Sequence, residues 1–228
     1  MDNFNQEEFN KFLIENNVVG FFPEGRTLKS GRFSYWYVNC RNLAGKVGVT
    51  DKTASFLLAF LKAKELGCDY IYGVPEGVTT LAVVANYKKG IENSNNEQPL
   101  VIGRGKPKEH GDPKDKYFIG PAKPGDKVVV VEDVTTTGGS MLKTLDFLKE
   151  TGIEVVAVVA LANRMEIRDD GKSVAESVEA KGTKYFSMSD ADQLIPMAIE
   201  KENPDKEFLK NFQEKYNEFA IKKINVLE

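Results

Sequence analysis

Residues 128–140 read VVVVEDVTTTGGS, from Val128 to Ser140. Four consecutive valines suit a strand buried on both faces, as in a parallel sheet covered by helices. Two carboxylates, Glu132 and Asp133, follow at once, then a threonine- and glycine-rich loop, then a helix-forming segment. In such a unit the polar loop lies at the carboxyl end of a parallel strand, where open α/β sheets bind ligands. The backbone N–H groups of Thr135, Thr136, Thr137, Gly138 and Gly139 can converge on one point. Glycine allows close backbone approach, and the helix start adds a partial positive charge. A phosphate monoester fits there, and the acids in front suit the paired hydroxyls of a ribose, which need acceptors. An ordinary strand–turn–helix connection is the plainer alternative, and the acidic pair directly after four valines argues against it. No GK[ST] follows the glycines, so this is not a Walker A loop, and no GxGxxG opens the helix.

Outward from this unit, short apolar runs alternate with helical patterns. Strands are predicted at residues 70–74, 99–103, 127–131, 154–161 and 183–188. Helices are predicted at 3–16, 50–66, 77–89, 138–150, 190–199 and 205–220, with Thr50 or Asp51 capping the second and Gly152 closing the fourth. Residues 21–42, rich in aromatics and glycine, read as strand and turn, and residues 104–116 as a long polar loop. This alternation predicts an α/β fold with a mainly parallel sheet. The chain reads as one domain.

Of 228 residues, 41% are hydrophobic and 29% charged, with a formal net charge of −3. That is enough for a sizeable core and offers no basic excess to suggest nucleic acid. Two cysteines, Cys40 and Cys68, make no disulfide framework and no zinc cluster. No apolar run approaches the length of a membrane span, and the polar first fifteen residues have no signal core. The expectation is a soluble protein in the cytoplasm, with neither nucleic acid nor membrane as partner.

The 128–140 stretch resembles the PRPP-binding motif of the type I phosphoribosyltransferases, and EDVTTTGGS is most similar to the orotate phosphoribosyltransferases among them. The resemblance implies that Glu132 and Asp133 hold the ribose hydroxyls of PRPP and that Thr135, Thr136, Thr137, Gly138 and Gly139 hold its 5-phosphate. It also implies the type I fold, with a small N-terminal hood over about residues 1–45 and a core over about 46–228.

Other segments resemble the same family. TLKSGRFS at 27–34 looks like its N-terminal motif, which makes Lys29 a contact to the base or the diphosphate. From the residues alone this is an anion-binding turn or a solvated hairpin tip. The aromatics Tyr35, Trp36 and Tyr37 that follow suit either core or stacking on a base. RGKPKEHG at 104–111 is similar to the family's catalytic loop. Arg104, Lys108, His110 and Gly111 match, whereas Gly105 stands where a lysine is usual and Lys106 comes one place later. A mobile cationic loop suits a reaction that expels pyrophosphate, and in the family this loop reaches across a dimer interface. GVPEGVTTLA at 73–82 looks like the diphosphate loop, with Gly77 where many members carry a lysine. LANRMEIRDDG at 161–171 keeps the arginine of the family's Asp-Arg pair. The resemblance implies that Arg164 meets the carboxylate of orotate, as a guanidinium fork can. A salt bridge from Arg164 to Glu166 or Asp169 is the alternative.

The implied reaction joins orotate to PRPP, giving orotidine 5-phosphate and pyrophosphate in pyrimidine biosynthesis. Lys108, His110, Arg104 and Asp133 are its expected catalytic residues. Lys29 and Lys106 join the PRPP site, and Lys29, Thr136 and Arg164 the orotate site. Mg²⁺ is expected as cofactor, held by substrate and water rather than by a protein cage. A homodimer sharing the 104–116 loop is expected. The competing readings are a phosphoribosyltransferase for another base and a PRPP-binding regulator without catalysis.

Overall fold

The computed structural model describes residues 3–28, 30–106, 108–110 and 116–227. The valine run is the centre of strand β6 (Lys127–Thr135), in a four-stranded parallel sheet of order β3–β6–β7–β8. Its companions are β3 (Tyr70–Gly73), β7 (Glu154–Asn163) and β8 (Lys184–Ser187). Ile71 lies opposite Val129, Val130 opposite Val158, and Val158 opposite Tyr185. Successive side chains of a strand point to opposite faces. Ile71, Val129, Val131 and Val159 therefore join one cluster, and Tyr70, Tyr72, Val128 and Val130 the other. Both faces are covered, which is why the run needs no polar side.

The first face carries α1 (Gln6–Glu15), α2 (Val47–Ala63), α3 (Thr79–Glu92), α6 (Ala191–Glu202) and α7 (Lys206–Asn217). The second carries α4 (Gly139–Glu150) and α5 (Val174–Glu179). Burying each large apolar side chain contributes about 1.5–3 kcal/mol. Among the described residues no helix is long and apolar enough to cross a membrane.

Strand β3 is an edge strand, and its outer side is closed by one side chain. Asn86 of α3, fully buried, donates to the Ile71 carbonyl and accepts from the Ile71 N–H, both at 2.8 Å. This corrects the strand predicted at 99–103. With that edge occupied, the segment finds no ladder to join. Only β4 (Ile102–Gly103) forms, antiparallel to β5 (Phe118–Ile119) in a separate two-stranded sheet.

Other boundaries differ for local reasons. β6 runs on past Val131 through both acids to Thr135, because Glu132 to Thr135 keep pairing with β7. α2 begins at Val47, and Thr50 is inside it, its hydroxyl donating to the Leu43 and Lys46 carbonyls at 2.9 Å. α3 begins at Thr79 rather than Gly77. α5 is additional to the predicted helices, and its capping box is readable: Ser173 and Glu176 bond each other's backbone N–H.

The hood is the antiparallel hairpin of β1 (Val19–Thr27) and β2 (Phe33–Val38), followed by a 3-10 helix at Cys40–Ala44. Its apolar side rests on α7: Phe21 meets Phe208 and Phe212 at 5.3 Å between ring centroids, and Tyr35 meets Phe208 at 5.7 Å. Trp36 is core, 1% exposed, with its indole N–H unpartnered.

Candidate active site

A cleft of about 420 Å³ opens at the carboxyl ends of β3 and β6. Glu132 and Asp133 lie on successive residues of β6, so the pleat separates their side chains. Glu132 is buried, its Oε1 accepting from the Asp133 N–H at 3.3 Å. Asp133 is half-buried, its Oδ1 accepting from the Val134 N–H at 2.7 Å. Both line the cleft. Across from them the 73–79 turn passes so close that a Cβ on Gly77 would come 2.6 Å from Asp133 Oδ2. The Pro75–Glu76 peptide in this turn is cis.

Thr136, Thr137, Gly138 and Gly139 also line the cleft and lead into α4. Gly138 caps the helix at φ +65°, a left-handed backbone that glycine adopts without strain. The first N–H groups of α4 have no partners within the helix, and with its dipole they favour an anion. The Thr137 carbonyl is tied from outside by Arg168 Nη1, whose Nε lies 3.4 Å from Asp170.

Thr135 is placed elsewhere. It is fully buried, its hydroxyl 2.6 Å from the Tyr185 hydroxyl and 3.3 Å from Asn163 Oδ1. As the last residue of β6, its side chain is spent inside the fold, and it is not among the residues lining the cleft. Burial raises the Tyr185 phenol pKa, and the hydrogen bond it shares with Thr135 opposes that shift.

The described start of the predicted catalytic loop lies beside the cleft, where a Cβ on Gly105 would come 3.8 Å from Glu76 Oε1. Its limbs pair through Arg104 N–H to the Tyr117 carbonyl (2.9 Å) and Lys108 N–H to the Lys116 carbonyl (2.8 Å). Lys106, Lys108 and His110 are exposed and do not line the cleft. Arg104 borders an adjoining hollow of about 290 Å³ that shares Pro75, Ser140 and Lys143 with the cleft. Lys29 and Gly111 lie outside the described residues, while Ser30 brings the hairpin tip to the cleft rim.

Arg164, 3% exposed, lies between the turn after β7 and the underside of the hood. Its Nε donates to Glu166 at 2.8 Å, Nη2 to the Ser34 hydroxyl at 3.0 Å and Nη1 to the Trp36 carbonyl at 3.4 Å. The guanidinium stacks 4.3 Å from the Trp36 ring. Burial lowers its pKa, and the charge of Glu166 opposes that. Arg32 of the hairpin reaches the same Glu166 at 3.2 Å and Asp169 at 2.8 Å. The salt bridge to Glu166 weighed above is present, but buried rather than on the surface.

Sequence reasoning did not single out Arg41, Lys143 or Arg168. The first two line the cleft. Lys143 had a readable signal, lying one turn into the helix that opens at Gly139. Arg41 and Arg168 had none, because their places depend on tertiary packing. Among the described residues no group of three or more His, Cys, Asp or Glu side chains is placed to hold a metal ion.

The family model described as "Phosphoribosyl transferase domain" matches residues 77–187. An orotate phosphoribosyltransferase of Pyrococcus abyssi is 32% identical over 188 residues, covering 80% of this chain and 91% of that one. The Pyrococcus furiosus orotate phosphoribosyltransferase is 31% identical over 198 residues, covering 85% and 97%. The crystal structure of the Francisella tularensis orotate phosphoribosyltransferase superposes with a TM-score of 0.69 at 19% identity, covering 93% of this chain and 99% of that one. At that identity the superposition speaks to the fold alone.

Proposed function

This chain belongs to the orotate phosphoribosyltransferase family, and we propose that it converts orotate and PRPP to orotidine 5-phosphate and pyrophosphate in the cleft at the ends of β3 and β6. The observation that carries the assignment of the site is the meeting of three parts in one cleft: the acids of β6, the Thr136–Gly139 turn and the 73–79 turn. In this reading Asp133 and Glu132 accept hydrogen bonds from the ribose hydroxyls. The N–H groups at the start of α4, with Thr136 and Thr137, hold the 5-phosphate. Arg168 supports that turn through the Thr137 carbonyl.

The bond from ribose C1 to pyrophosphate breaks as the ionised N1 of orotate approaches. No covalent nucleophile from the protein is needed, only orientation and stabilisation of the departing charge. Lys108, His110 and Arg104 meet the pyrophosphate, with Lys106 and Lys29 as further cations. Lys108 and His110 do so from a second copy of the chain, as the resemblance to the family's shared loop implies; they are exposed and are not among the residues lining the cleft. The homodimer sharing the 104–116 loop is part of this proposal. Lys29 and Thr136 hold orotate; Arg164, which the resemblance also assigns to it, is outside the cleft lining and would have to give up its bonds to Glu166, Ser34 and Trp36 to join them. Mg²⁺ would be held mainly by substrate phosphate and water, with the hard carboxylate oxygens of Asp133 and Glu76 at the cleft as suitable protein ligands, and would supply positive charge against the diphosphate. The chain is taken as a single domain of the cytoplasm.

Steady-state turnover with PRPP, Mg²⁺ and one base at a time tests this. Consumption of orotate, dependent on Mg²⁺, is the expected result. Consumption of uracil or a purine instead would remove the role of Arg164. PRPP binding without turnover of any base would overturn the catalytic reading.

A further inference from the structure

Apart from the loop cations and Mg²⁺ of that reading, the described residues lining the cleft bring more acid than base to where a diphosphate would lie. The 73–79 turn reads GVPEGVT, with an acid and no base. No side chain can be added at Gly77 without displacing Asp133, because the Cβ would meet its carboxylate at 2.6 Å. Glu76, Glu132 and Asp133 all line the cleft, so an entering diphosphate ester faces three carboxylates. Two cations line it among the described residues, Lys143 and Arg41. Lys143 lies one turn into α4, on the side of the proposed 5-phosphate turn.

Arg41 enters from the 3-10 helix that follows the hairpin. Its neighbour Cys40 is buried, with Sγ 3.4 Å from the Asp133 carbonyl, and the Asp133 carboxylate lies against Gly77. Arg41 therefore emerges where the 3-10 helix, Asp133 and the 75–77 turn meet. Its backbone is held from both ends, by Cys40 on Asp133 and by the Thr50 hydroxyl on the Leu43 carbonyl. Its side chain is exposed, with no ion pair, hydrogen bond or ring contact among the described residues. A fixed backbone carrying an uncommitted guanidinium suits a ligand contact.

We propose that Arg41 binds the diphosphate of PRPP, pairing its guanidinium with phosphate oxygens beside the 75–77 turn. The proposal rests on the phosphoribosyltransferase reading above. A guanidinium fork matches two phosphate oxygens at once, which a lysine ammonium cannot do. The contact strengthens as charge builds on the leaving pyrophosphate, so Arg41 contributes to turnover as well as to binding.

Arg41→Gln and Arg41→Lys are titrated calorimetrically with magnesium pyrophosphate and, separately, with ribose 5-phosphate, which lacks the diphosphate. Arg41→Gln is expected to weaken pyrophosphate about tenfold or more, in line with the loss of charge-assisted hydrogen bonds. Ribose 5-phosphate affinity should stay within about twofold. Arg41→Lys should recover part of the loss. Pyrophosphate binding unchanged in Arg41→Gln, while the unaltered protein turns over orotate, overturns the role of Arg41 alone. An equal fall in both affinities also overturns it, since the effect would be general to the cleft. An unaltered protein that neither binds pyrophosphate nor uses PRPP overturns the phosphoribosyltransferase reading together with this one.

Discussion

Glu166→Gln removes one negative charge from beneath the hood with almost no change of shape. Glu166 is 5% exposed and serves two arginines, Arg164 at 2.8 Å and Arg32 at 3.2 Å. Asp169 is the other carboxylate within reach of Arg32, but its side chain is 90% exposed. An exposed partner of that kind is worth about 0–1 kcal/mol. With an amide at 166, two buried guanidiniums keep the Ser34 hydroxyl, the Trp36 carbonyl and ring faces, but no buried counter-charge. Breaking a buried ion pair from one side costs about 3–5 kcal/mol. For a chain of this length each kcal/mol moves Tm by about 2–4 °C, so a fall of about 6–20 °C is expected. Thermal unfolding followed by circular dichroism reads it directly, with Asp169→Asn as the control, expected to cost less than about 1 kcal/mol. A Glu166→Gln protein melting within about 2 °C of its parent would refute the assignment of Glu166 as the counter-charge.

Thr135→Val should destabilise the fold by about 1–3 kcal/mol, because it strips a partner from the buried Tyr185 hydroxyl. PRPP affinity should hardly move, and weaker PRPP binding at unchanged stability would put this hydroxyl in the cleft after all. Gly77→Ala should raise the KM for PRPP about tenfold or more by pushing the Asp133 carboxylate aside, with Tm nearly unchanged. An unaltered KM would mean that Asp133 moves without consequence for ribose binding. Lys108→Ala, at an exposed position, should lower kcat about 10²–10³-fold while the melting curve stays put. Full turnover in that variant would take the loop out of the reaction.

What could be read in the sequence was whatever depends on local pattern. The valine run, the glycine-rich turn and α4 follow from periodicity and turn chemistry, and Gly152 closes α4 at φ +75°. The α5 capping box is equally local, marked by Ser173 and Glu176. What depends on tertiary packing could not be read. Thr135 and Thr136 are adjacent and alike in chemistry, yet the strand ends between them, so one hydroxyl turns inward to Tyr185 and the other residue lines the cleft. The segment at 99–103 has strand-like residues, but Asn86 had already closed the edge it would have joined. Arg41 sits in an unremarkable run of sequence, and the packing of Cys40 on Asp133 and of Leu43 in the core brings it to the cleft.

The resting of the hood hairpin on α7 has a consequence for how the protein is made. Phe21 and Tyr35 leave the ribosome early, whereas Phe208 and Phe212, which cover them, are about 175–190 residues behind. At synthesis rates of about 5–20 residues per second, that gap lasts about 10–40 s. Arg32 likewise waits for Glu166. Until α7 emerges the hairpin exposes an aromatic face that can pair with the wrong surface, so the nascent chain should remain cleavable at the hairpin by pulse proteolysis until Tyr216 is out. The hood is thus completed last, and a chain interrupted late in synthesis would carry a formed Thr136–Gly139 turn beside an unfinished hairpin.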